Sequence, residues 1–358
     1  MLLVRSGIGG PGAKVYPNAP GPEPHPRWTF QRPTPSFDPN PWNTLMTTMK
    51  AVRIHAYGGP ELLHYEDVPR PEPGADDLLI QVRAAAVNPV DWKIREGSLQ
   101  GVLNHRLPLI LGWDVAGTVV EVGPDATGFE VGDEVYTRPD IERDGGYAEF
   151  IAVKAGEAAP KPATLDPVHA AAVPLAALTA WQSLVDAAQL QAGQTVLIHA
   201  VAGGVGSFAA QLAKARGARV IATASAVNTG LAADLGVDQF VDYTRTRFEQ
   251  VVKDVDVVLD TIGGETQERS WQVLKPGGIL VSVISPPPEA TAAAHGVRGA
   301  FVFIQPSGPQ LVEIARLIDQ GPMKPIIHTV LPLSEARQAQ VISQGGHARG
   351  KIVLRVRD

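Results

Sequence analysis

Thr195-Val-Leu-Ile-His-Ala-Val-Ala-Gly-Gly-Val-Gly206 is the stretch that decides the fold of this chain. Its first half is a short run of β-branched and aliphatic residues, the pattern of a buried strand, and its glycines precede a helix expected over Gly204–Arg216. In that setting Ala202, Gly203, Gly204, Val205 and Gly206 form a dinucleotide-type turn. Gly203 and Gly204 let backbone approach a pyrophosphate, and Gly206 permits close helix–strand packing. The helix N-terminus then supplies free N–H groups and a positive dipole end. The strict G-x-G-x-x-G spacing is not met, because Val201 stands where the first glycine belongs. Taken alone, a tight turn made only for packing reads the same way.

Downstream, Arg219–Thr223, Phe240–Val241, Val255–Asp260 and Ile279–Ile284 read as strands separated by helical stretches. That alternation predicts a doubly wound parallel sheet, a Rossmann domain over residues 174–309. A carboxylate for a ribose 2′-hydroxyl is expected about 20 residues past the turn. Thr223-Ala-Ser-Ala226 occupies that place and offers none, which favours NADPH over NADH. Ser225, Asn228 and Tyr243 are candidate donors to a 2′-phosphate, and Arg245 can add charge.

Upstream, from Met49 to Val173, short strands alternate with Gly/Pro/Asp turns: Lys50–Ile54, Leu78–Ala85, Asp114–Val122, Glu134–Thr137 and Ala148–Val153. This predicts a β-barrel domain over 49–173. The tail, 310–358, carries a helix at Gln310–Ile318 and strands Thr329–Leu333 and Lys351–Arg357, and is expected to rejoin the barrel. Residues 1–48 hold ten prolines and no apolar period, the composition of a disordered extension; equally, the folded protein can begin at Met46 or Met49.

The 358 residues suit two domains, and the composition is that of a soluble globular chain. A net charge of −6 argues against a nucleic-acid partner or an anionic membrane surface. The longest apolar run, around Ala170–Trp181, is interrupted by Pro174, so no membrane span is expected. The cysteine count of zero excludes disulfides, thiolate nucleophiles and zinc sites that need sulfur. A cytoplasmic protein is the resulting expectation.

Six segments then occur in a telling order: Asn88-Pro-Val-Asp-Trp-Lys-Ile-Arg-Glu-Gly97, Gly112-Trp-Asp-Val-Ala-Gly117, Gly132-Asp-Glu-Val135, Gly145-Gly-Tyr-Ala-Glu149, Leu178-Thr-Ala-Trp181 and Ala202-Gly-Gly-Val-Gly206. From Met49 to Asp358 the chain resembles the medium-chain dehydrogenase/reductase superfamily. Within it the chain is similar to the zinc-independent branch, the zeta-crystallin-type NADPH:quinone oxidoreductases and the alkenal/enone reductases. The resemblance implies a GroES-like catalytic domain, a Rossmann cofactor domain and an active site between them. It also implies a homodimer joined through sheet edges. Compared with the zinc alcohol dehydrogenases, Asn88 replaces a cysteine ligand, Trp113 a histidine ligand, and Asp114 the glutamate that follows it. A metal-free protein is expected.

The resemblance further implies site residues. Lys93 is the candidate donor to the acceptor oxygen, with Asn88 beside it as a catalytic-site residue and Asp91 holding the nicotinamide ribose. Thr179 should approach the nicotinamide, Thr261, Ile262, Ile284 and Ser285 should pass beneath the cofactor, and Phe303 should close its side. Lys351 should reach the cofactor, while Trp113 and Phe301 line the substrate pocket. Without a Lewis acid, substrates that spread their own charge are best matched. A quinone accepting hydride yields a phenolate, and an α,β-unsaturated carbonyl yields an enolate. The alternatives are an enoyl-thioester reductase and a catalytically idle NADPH-binding sensor or structural protein.

Overall fold

The structure, a computed structural model, describes residues 47–357. Residues 1–46, nearly all of the expected Pro/Gly-rich extension, lie outside the described residues, as does Asp358.

Eight strands build the first sheets: β1 (Thr48–Ile54), β2 (Leu63–Pro69), β3 (Asp77–Val87), β4 (Leu109–Ile110), β5 (Val115–Val122), β6 (Glu134–Thr137), β7 (Phe150–Lys154) and β8 (Ala158–Pro160). Helix α1 (Pro89–Arg95) follows β3, and α2 (Pro167–Ala171) and α3 (Pro174–Trp181) leave the barrel. Pro174 starts α3, where its missing N–H costs no helical hydrogen bond, so the apolar run is divided into two helices.

The second region alternates strands with helices: β9 (Thr195–Ile198), α4 (Gly204–Ala215), β10 (Arg219–Ala224), α5 (Thr229–Asp234), β11 (Gln239–Asp242), α6 (Phe248–Val251), β12 (Val255–Asp260), α7 (Gly264–Ser270), β13 (Leu274–Ser282), α8 (Glu289–Ala294) and β14 (Arg298–Phe301). Its six strands pair in the order β11-β10-β9-β12-β13-β14, all parallel. This is the doubly wound arrangement, with the order reversing between β9 and β12. Apolar side chains cover both faces, including Val196 and Ile198 on one and Leu197 and Val258 on the other.

The tail supplies α9 (Gly308–Asp319), β15 (Ile327–Pro332), α10 (Ala336–Gln344) and β16 (Lys351–Arg355). β16 pairs antiparallel with β3, completing a sheet of order β15-β16-β3-β5-β6-β8. The chain thus combines a GroES-like β domain with a Rossmann domain. β2, β4, β8 and β14 were not legible as strands, being short or edge elements. The strand expected to run through Ile284 ends at Ser282, leaving Val283, Ile284 and Ser285 beyond the sheet.

One buried group marks the start of the glycine turn. His199 follows β9, its ring nitrogens bonded to the hydroxyls of Thr223 (3.0 Å) and Ser270 (2.9 Å). Burial drives its pKa down from 6.5 to about 4. The folded protein therefore refuses a proton that the unfolded chain takes up. The contribution is complete above pH 6.5 and is lost as pH falls towards 4, amounting to roughly 3 kcal/mol. Urea unfolding of the parent and of His199→Gln across that range should show the difference between them shrinking as pH falls. A difference independent of pH would contradict this reading.

Candidate active site

Three adjacent strands bring three distant residues together. Asn88 follows β3, Asp114 precedes β5, and Lys351 opens β16. Lys351 Nζ donates to Asp114 Oδ2 (2.7 Å) and to Asn88 Oδ1. Asn88 Nδ2 donates to the same Asp114 oxygen at 2.8 Å. The other Asp114 oxygen accepts from Leu175 N at 2.6 Å, which ties the cluster to the first turn of α3. All three side chains are buried, so each charge relies on these partners rather than on water.

Asp91 lies beside them, fully buried. One of its oxygens accepts from Asn88 N (2.8 Å), fixing the start of α1, and from Tyr147 Oη (2.7 Å). The other, Oδ1, has no partner. Burial pushes its pKa up to about 7, partly offset by those two donors and by Lys351.

The glycine turn meets this cluster directly. Gly350 N donates to Ala202 O (2.7 Å), and Gly203 bridges Gly350 in parallel register. The Lys351 stem crosses Gly204, where an added Cβ would lie 2.9 Å from Cδ. At Gly206 an added Cβ would come within 2.4 Å of Ala200 O, so the turn needs glycine for packing as well. The left-handed step falls on Ala200, at φ 52°, so no glycine is required at Val201. α4 begins without a side-chain cap, leaving its first N–H groups to a ligand. A pyrophosphate fits this cradle.

The remaining candidates sit around it. Ser225 and Asn228 form a small turn after β10, with Asn228 Nδ2 on Ser225 Oγ at 3.1 Å and Asn228 Oδ1 unpartnered. Tyr243 is exposed beside them, its N–H bonded to Ala224 O, while Arg245 is exposed and paired with Asp242. A residue that sequence reasoning missed joins the group: Arg349 Nη2 donates to Val227 O at 3.2 Å. Thr261 Oγ1 donates to His199 O (2.9 Å), linking the ends of β12 and β9. Ile262, Ile284, Phe301 and Phe303 expose apolar surface at or just beyond strand ends, and Ser285 lies partly buried next to Ile284. Thr179 is buried, its hydroxyl bonded back to Leu175 O (2.7 Å).

Two expectations change. Lys351 does not extend its ammonium towards a cofactor; Asp114 and Asn88 enclose it, and only its stem meets the glycine turn. Trp113 lines no open pocket: it is 0% exposed, stacked on His105, with Nε1 bonded to Arg143 O. Lys93 lies half-buried, its ammonium 5.7 Å from the centre of the Trp92 ring.

Two family models match the chain: "Alcohol dehydrogenase GroES-like domain" over residues 74–163 and "Zinc-binding dehydrogenase" over 235–354. The chain is 34% identical to the mouse NAD(P)H oxidoreductase RTN4IP1, mitochondrial, across 87% of its length and 90% of the mouse protein. It is 36% identical to the Arabidopsis thaliana NADPH-dependent alkenal/one oxidoreductase, chloroplastic, across 86% and 79% respectively. Among solved structures it resembles the quinone oxidoreductase of Coxiella burnetii, with 34% identity, a TM-score of 0.79, and coverage of 87% and 100%. These relatives overturn the cytoplasmic expectation, since the curated ones are mitochondrial or chloroplastic and bulk composition carries no such address.

The donor set does not fit the zinc in the second model's description. A lysine ammonium occupies the space between Asn88 and Asp114, and it repels a dication. Replacing Lys351 by Met should cost about 3–5 kcal/mol, because Asp114 is left buried and unpaired. Adding Asp114→Leu should recover much of that loss. Urea midpoints of both single variants and the double variant check this, and additive losses would contradict it.

Proposed function

The chain belongs to the medium-chain dehydrogenase/reductase superfamily, in its zinc-independent quinone and enone reductase branch, and on that premise we propose that it transfers hydride from NADPH to a quinone or an α,β-unsaturated carbonyl. The observation that carries this reading is the Lys351 ammonium seated between Asn88 and Asp114 against the glycine turn. An enclosed ammonium fills the place that a Lewis acid would take, which suits an acceptor that delocalises the incoming charge itself.

When bound, the nicotinamide supplies the hydride. The chain's own residues hold and orient. The Gly203–Gly206 turn and the first N–H groups of α4 take the pyrophosphate. The apolar surface of Ile262, Ile284, Phe301 and Phe303 excludes water from flat rings laid across the strand ends. The NADPH preference is supported by Arg349, a cation held against the Ser225–Asn228 turn by Val227 O. An enoyl thioester accepts hydride in the same way and is one arm of the acceptor test. The homodimer reading is supported by β14, one of the two edge strands of the six-stranded sheet.

Purified protein should oxidise NADPH in the presence of a quinone or enone, and should prefer NADPH to NADH. A panel in which no quinone, enone or enoyl thioester is reduced, while NADPH binds, contradicts the reading. Arg349→Ala should raise the NADPH dissociation constant about tenfold and leave that for NADH unchanged, as lost charge-assisted contacts imply. Equal weakening for both nucleotides would remove Arg349 from phosphate recognition.

A further inference from the structure

Buried cations rarely lack a counter-charge, because removing a guanidinium from water is costly and arginine cannot shed its proton. The buried cations among the described residues are Arg95, Arg138 and Lys351. Arg95 has Glu96 at 3.5 Å and Lys351 has Asp114 at 2.7 Å. Arg138 is 1% exposed, and Asp114, Asp140, Glu157 and Asp91 act on its guanidinium through space, none as a hydrogen-bond partner. It donates from Nη1 to the neighbouring Pro139 O at 3.2 Å, and its Nε has no partner.

Its position is set by strand periodicity. Arg138 follows β6 by one residue and lies two residues past Tyr136. Alternation puts both on the same face. Tyr136 packs among Ala170–Val173 and bonds Leu311 O at 2.5 Å, so this face looks towards α2, α3 and α9. The antiparallel β5–β6 register, with Val115 opposite Thr137, carries on to set Arg138 across from Asp114 and so beside the Asn88–Asp114–Lys351 cluster.

We propose that Arg138 is the catalytic cation that receives the acceptor's oxygen, its free N–H groups donating to the enolate or phenolate that forms. This assignment rests on the reductase reading above. Hydride and its electron pair pass from NADPH to the acceptor, which is reduced while the nicotinamide is oxidised. The negative charge moves to the acceptor oxygen, and water later supplies the proton. Arg138 holds that oxygen without itself gaining or losing a proton.

Arg138→Met and Arg138→Lys test this. The Met variant should lose about 100-fold in kcat with an enone or quinone, as for removal of one oxyanion donor, while NADPH affinity stays within twofold. The Lys variant should recover part of kcat. Because Met relieves an unpaired buried charge, its melting temperature should not fall; a fall shared by both variants marks a structural group and overturns the assignment. Turnover of the Met variant within threefold of the parent also overturns it, and leaves the reductase reading intact. A second arm needs no turnover: 4-nitrophenol bound to the protein with NADP+ should ionise at lower pH than in water, followed by its phenolate absorption. Arg138→Met should abolish that shift. If the parent reduces no acceptor, the reductase reading fails, and this arm alone decides whether Arg138 holds a phenolate oxygen.

Discussion

The ammonium of Lys351, wedged between Asp114 and Asn88, is the contact on which the junction of the two sheets depends. Charges taken out of water are tolerated only where each lone pair and proton finds a partner. Here one lysine satisfies β5 through Asp114 and the start of α1 through Asn88, while Asp114 in turn caps α3 through Leu175 N. The same residue lays its stem over Gly204, and Gly350 before it bonds the turn at Ala202. A shift of β16 by one residue would turn Lys351 to the other face and take from Asp114 the ammonium it pairs with. The ion pair therefore fixes register as much as it adds stability.

That dependence explains what the sequence could and could not disclose. The glycine turn, the alternating elements around it and Val255–Asp260 as a strand rest on local pattern, and the sheet contains them as read. The Gly203–Gly206 segment keeps its tight turn without the expected first glycine, because Ala200 takes the left-handed step. The charged groups are a different matter. Lys351 meets Asn88 and Asp114 across 263 and 237 positions, and Arg349 reaches Val227 across 122. No window along the chain contains both partners, so Lys351 read as a cofactor contact and Arg349 drew no attention. Lys93 read as the donor because it shares a segment with Asn88, and its ammonium lies 5.7 Å from the centre of the adjacent Trp92 ring.

Trp113 shows the same limit in a residue of correct location and wrong exposure. It stands beside Asp114, but successive side chains near a strand face opposite ways. Asp114 turns to the junction and Trp113 into the barrel core, against His105 and the carbonyl of Arg143. A large aromatic in a motif segment is compatible with either face, and only the pairing of β5 with β3 decides.

The charge balance at the junction follows from these placements. Lys351 is matched by Asp114, while Arg138 and Asp91 are each left with an unpartnered polar atom. Burial holds the Asp91 carboxyl near neutrality, at about 7, so its negative charge is only partly available to offset Arg138 at neutral pH. A carboxylate on the acceptor would neutralise Arg138 before reaction and gain nothing as hydride arrives. An acceptor that is neutral on binding and anionic afterwards draws on that guanidinium, whose Nε has no partner, only as the reaction proceeds. Preferential stabilisation of this kind is what accelerates a chemical step, since binding both states equally would not. The buried, underpaired charges are costly to the resting protein, and their cost is the form in which that stabilisation is stored.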